Sequence, residues 1–185
     1  KYKNKSDFQV SFKKIKFLQA VKIFRRQALY KAIINNTQNT ADISDIGEND
    51  IVYVGHMVPE ATSFPDSFEY PSEIDVLIDL KIRFPNSKIF YREHPAIHIY
   101  GEYGHIHYQG LHKNLKFFQL LRTLNIHLIN SKMHISNVRK KNCLFATKTG
   151  RVAIENSVLG RSTIVYGFPF YGFNLPGTVH ISNLR

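Results

Sequence analysis

Along positions 50–170 the spacing of apolar residues alternates between two periods, and the alternation predicts the architecture. Runs of β-branched and aromatic residues, "DIVYVGHMV" (50–58), "KIFYREH" (88–94), "NIHLIN" (125–130), "NCLFATKT" (142–149) and "STIVYGFPF" (162–170), read as strands. Between them, "SEIDVLIDLKIRF" (72–84), "LHKNLKFFQLLRTL" (111–124), the short "SKMHISNVRKK" (131–141) and "GRVAIENSVLG" (150–160) carry helical spacing, with Ser72 as N-cap of the first. Strand and helix alternating through short links call for an α/β fold, a Rossmann-like layer of five parallel strands covered by helices. Ahead of it, Ile15, Leu18, Val21, Ile23, Phe24 and Leu29 recur at helical intervals and predict one basic amphipathic helix. The polar "NNTQNTADISDIGEND" then reads as a linker, so that 1–49 form an arm and 50–185 the folded domain.

Composition narrows the picture. The 185 residues are 43% hydrophobic and 21% charged, a globular balance, and the lone cysteine, Cys143, excludes a disulfide framework. No apolar run approaches the roughly 20 residues a membrane span needs, and no signal-peptide pattern opens the chain. Opening on Lys1 points to a processed chain or a fragment. The net charge of +11 is concentrated in the first 31 residues, where Asp7 is the one acid, which suits an anionic surface or polymer or a solvated helix face. Neither zinc-finger spacing nor the signature of an RNA-binding sheet occurs, so nucleic acid is not expected.

In a parallel sheet the ligand sits beyond the carboxyl ends of the strands. Three loops meet that condition: "VPEATSFPD" with Glu60, Thr62, Ser63 and Asp66; "REHPA" with Arg92, Glu93 and His94; and "TKTGRVAIE" with Thr147, Thr149, Gly150 and Glu155. Hydroxyls and glycine before a helix suit a phosphate-bearing ligand, and Glu155 is placed to accept from a ribose hydroxyl. Charges at strand ends also serve plain solvation, and Thr-Gly is equally a cap and turn pair. His105, His107 and His112 lack firm metal-ligand spacing and read as a surface loop. Ser157 has no nucleophile-elbow glycines around it, and "YGFPFYGF" serves core packing as well as stacking.

The order "VPEATSFPD", "KIFYREHP", "TKTGRVAIENSVLGRSTIVYGFPFYG" resembles the bacterial capsule polysaccharide biosynthesis proteins, a family that includes Kdo transferases. The likeness covers about residues 50–180. It implies a GT-B glycosyltransferase, of which this chain is the C-terminal, donor-binding half. Pro59 and Glu60 match the family's Pro-Glu pair, with Thr62 and Ser63 as the hydroxyls after it. Glu93, His94 and Pro95 match its Glu-His-Pro, Thr149, Gly150 and Glu155 its Thr-Gly and glutamate, and Gly160 its later glycine. Val58 stands where the family carries glutamine, Arg92 for its lysine, Arg151 for a threonine, and "GRS" for its Gly-Lys-Pro. The resemblance thus implies Glu60 and His94 as catalytic residues, and Arg92, Glu93, His94, Thr149, Gly150 and Glu155 as donor-binding ones. No cofactor or metal is expected. The donor is a nucleotide sugar such as CMP-Kdo, the acceptor a polysaccharide or glycolipid, and the setting the cytoplasm, with the basic helix on the inner membrane face. Two alternatives stand beside this: a non-catalytic nucleotide- or glycan-binding module of a capsule assembly complex, and a sugar-nucleotide epimerase of the same architecture.

Overall fold

The computed structural model describes residues 24, 28, 32, 40–56, 69–94, 115–129, 133–169, 171 and 174–184. Seven strands form one sheet: β1 (Thr40–Ala41), β2 (Ile51–Val54), β3 (Ile89–Arg92), β4 (Ile126–Ile129), β5 (Leu144–Thr147), β6 (Thr163–Val165) and β7 (Thr178–His180). Their order is β1-β4-β3-β2-β5-β6-β7, and every pairing is parallel. Among the described residues four helices connect them: α1 (Glu73–Arg83) after β2, α2 (Leu115–Thr123) after β3, α3 (Ile135–Arg139) after β4 and α4 (Val152–Val158) after β5. The chain first winds outward from β2 through β3 to β4. It then returns across the sheet to β5 and winds the other way, the doubly wound Rossmann-like order.

The alternation of side chains builds two cores, one per face. Ile51 and Tyr53 of β2 with Ile89 and Tyr91 of β3 pack against Val76, Leu77 and Leu80 of α1 and Phe117, Phe118 and Leu121 of α2. Val52, Phe90 and Phe145 point the other way, toward Val138 of α3 and Val152 of α4. Helix α1 begins where the sequence predicts: Ser72 Oγ accepts the N–H of Asp75, and Asp75 Oδ2 accepts the N–H of Ser72 at 2.9 Å, a reciprocal capping box. Asp79 of α1 accepts from the hydroxyl of Tyr166, which follows β6, at 2.8 Å, and from Arg83 at 2.9 Å.

Two expectations are corrected. The sheet has seven strands rather than five, because β1 and β7 lie outside the apolar runs. The stretch read as a linker contains β1, paired with β4, and buried Ile46, so the sheet domain begins by residue 40 rather than 50. Both strands escape a periodicity search because neither lies in a sustained apolar run: β1 reads Thr-Ala and β7 Thr-Val-His. Of the basic N-terminal helix, Phe24, Ala28 and Ala32 are described, helical and exposed; the rest of that expectation lies outside the described residues.

Candidate functional site

Where the winding reverses, the helices after β2 and β5 lie on opposite faces of the sheet: α1 packs in one core, α4 in the other. A cleft of about 430 Å³ opens there, beyond the carboxyl ends of β2, β3 and β5. Its walls include Gly55 and His56 after β2, Arg92 and His94 from the end of β3, Arg139 on α3, and Thr149 and Gly150 after β5. Two sequence-predicted loops, "REHPA" and "TKTG", therefore meet in one cavity. Glu60, Thr62, Ser63 and Asp66 lie outside the described residues.

Strand parity sorts the charged trio at the end of β3. Arg92 and His94 line the cleft, whereas Glu93 between them is 1% exposed and serves the opposite face. There its Oε1 lies 3.1 Å from the hydroxyl of Tyr91, which also donates to Glu73 Oε2 at 2.8 Å. The carboxylate of Glu93, a residue expected to bind the donor, belongs in this structure to a buried network with Tyr91 and Glu73 at the start of α1. Glu73 Oε1 in turn accepts the backbone N–H of His56 at 2.5 Å. Buried Lys148 donates to the carbonyl of Pro71 at 3.3 Å, and burial holds its ammonium pKa below the usual value against the fields of Glu73 and Asp75.

At the centre of the cleft the turn after β5 is tied to the end of β2. His56 Nε2 lies 3.0 Å from Thr147 Oγ1 and 3.3 Å from the backbone nitrogen of Thr149. Thr147 Oγ1 also accepts the N–H of Gly150 at 3.2 Å. The N–H groups of Thr149 and Gly150, expected to hold phosphate, are therefore engaged with His56 and Thr147 in this structure. A Cβ at position 150 would come within 2.5 Å of Thr147 Oγ1, so glycine is what lets the turn close on that hydroxyl.

The cleft is cationic. Arg92, Arg139 and Arg151 line it, and Glu155 is the only acid among the described lining residues. Arg92 is 5% exposed and donates to the carbonyl of Met133 at 3.0 Å. Burial lowers its pKa, and the positive charge of Arg139 lowers it further. Among the described residues, the Nε atoms of Arg92 and Arg139 are buried without a hydrogen-bond partner. Glu155, placed by the sequence to meet a ribose, lines the cleft and forms an ion pair with Arg139.

His56, His134 and Arg139 were not singled out by the sequence. His56 sits two residues beyond β2, before the "VPEATSFPD" loop that drew attention, and its place directly at a strand end was the available signal. Arg139 was hidden in a helix that reads as merely basic.

No family model and no curated protein sequence matches the chain. Among solved structures it is similar to KpsC of Thermosulfurimonas dismutans, a beta Kdo 2,7 transferase, with a TM-score of 0.54 and 17% identity. The similarity covers 93% of this chain and 50% of that one, so the chain spans half the length of that protein. The likeness is one of fold: a seven-stranded parallel sheet with flanking helices, Rossmann-like in its winding.

Proposed function

We propose that this chain is the nucleotide-sugar-binding part of a glycosyltransferase that moves a sugar from an activated donor to a capsule or other surface polysaccharide. The observation that carries the reading is the arginine-lined cleft at the reversal of a doubly wound sheet, where such folds take nucleotides. In glycosyl transfer the bond from the anomeric carbon to the leaving phosphate breaks as an acceptor hydroxyl attacks, and negative charge grows on the phosphate. Guanidinium groups fixed in a partly dry cleft stabilise that charge without rearranging.

In this reading Arg92, Arg139 and Arg151 face the donor phosphates and His94 donates to the leaving oxygen. Thr149 and Gly150 border the nucleotide, and Glu155 reaches its ribose once released from Arg139. Glu60 orients donor or acceptor as a catalytic carboxylate. The neighbour's activity makes CMP-Kdo the first donor to try, with a polysaccharide or glycolipid as acceptor. The basic N-terminal segment, on the same reading, rests on the inner face of the cytoplasmic membrane.

Calorimetric titration of CMP and UDP into the wild-type chain, at low and moderate salt, tests the reading. One of them is expected to bind, more weakly as salt rises, and His94→Ala is expected to lose about tenfold in affinity with its melting temperature unchanged. Nucleotide binding that is absent from the wild type, or equal in wild type and variant, would overturn the donor-site assignment.

A further inference from the structure

The knot of His56, Thr147, Thr149 and Gly150 has two self-consistent hydrogen arrangements. Thr147 Oγ1 has one proton to give and two acceptors in reach, His56 Nε2 at 3.0 Å and the Val54 carbonyl at 3.4 Å. An imidazole Nε2 either accepts or donates, never both. In the first arrangement Nε2 is unprotonated and accepts from both the Thr147 hydroxyl and the Thr149 N–H, the latter at 3.3 Å. In the second, Nε2 carries a proton and donates to Thr147 Oγ1, whose own hydrogen turns to the Val54 carbonyl. The Thr149 N–H then loses its acceptor on the ring. The Gly150 N–H bond to Thr147 Oγ1, at 3.2 Å, survives in both, so the turn keeps its shape.

We propose that His56 is a positioning residue that exchanges these two arrangements when an oxygen-rich anion enters the cleft, passing the Thr149 N–H from the imidazole to the ligand. The inference rests on the anion-binding reading above and adds to it a residue that no sequence motif marked. All four members of the knot border the cavity, and Arg92, 5% exposed with its Nε unpartnered among the described residues, points independently to an anion there. The exchange needs no redox step. The ring proton moves from Nδ1 to Nε2 through solvent, and the ring stays neutral.

Charged groups near the ring either have partners already or line the cavity. Glu73 is already committed to the His56 backbone N–H, and Glu155 to Arg139. Arg92 and His94 from β3, His134 and Arg139 from α3, and Arg151 before α4 line the same cavity, and its arginines attract an entering anion.

Nitrogen-15 NMR of the histidine rings in the wild-type chain at neutral pH, with and without saturating inorganic pyrophosphate, tests the exchange. The free protein is expected to show His56 Nε2 as an unprotonated acceptor. Pyrophosphate is expected to move it to the protonated range and to shift the Thr149 amide together with the Arg92 and Arg139 guanidinium signals. Guanidinium shifts with an unchanged His56 ring would overturn the exchange while leaving the anion site standing. No response from any cleft signal would overturn both. Among variants, His56→Gln, whose amide can accept or donate, should stay within about threefold of wild type in pyrophosphate affinity, and His56→Leu should lose about tenfold. Equal affinities in all three proteins would also overturn the proposal.

Discussion

A buried guanidinium is costly to keep, and Arg92 shows the cost. Burial and the field of Arg139 both disfavour its charge, and Glu155, the one acid among the described lining residues, pairs with Arg139. Arg92→Met should therefore raise stability by about 1 kcal/mol or more in urea unfolding while lowering nucleotide affinity at least about tenfold. A destabilised Arg92→Met would mean that the arginine holds the fold and not the ligand. Gly150→Ala, which places a methyl against Thr147 Oγ1 and near the His56 ring, should keep the far-ultraviolet circular dichroism spectrum and lose about tenfold in pyrophosphate affinity. Cys143 is 8% exposed, and burial pushes its thiol up to about 11 from 9.0. Native protein at pH 8 should thus react slowly with thiol reagents, and urea should release the reactivity. The raised value also fixes a sign: the thiol's contribution to stability is full below pH 9 and is lost as pH rises towards 11.

At the scale of elements, what could be read in the sequence was what repeats. Helix α1 shows apolar residues at helical spacing and its own start signal, and five of the strands announce themselves as β-branched or aromatic runs. Ser72→Ala should cost about 1 kcal/mol of stability by urea titration, because it removes the acceptor for the Asp75 N–H. Strands β1 and β7 lack the apolar run that marks the other strands, and they join the sheet as its two edges. The candidate site divides along the same line. Arg92, His94, Thr149 and Gly150 follow strands and were legible, and period-two alternation already implied that Glu93 could not share a face with its neighbours. Arg139 is brought in by the return crossover from β4 to β5, a tertiary event that leaves no local trace.

On the scale of the molecule, the sheet order explains how three arginines converge. Two strand ends and one crossover helix deliver them to one cleft, and the two cores on either face keep the strands in register. The Glu73 carboxylate adds something different. It grips the N–H of His56, 17 positions earlier in the chain, and so clamps together the points where the segment carrying Glu60 departs from the sheet and rejoins it. A clamp of this kind makes the enclosed stretch an exchangeable cassette. Its length and wording can change at the small entropic cost of a longer closed loop, while the framework beneath stays fixed. Replacing residues 57–68 with a different segment, while keeping Tyr70 on Tyr166, should accordingly leave the melting temperature near that of the parent.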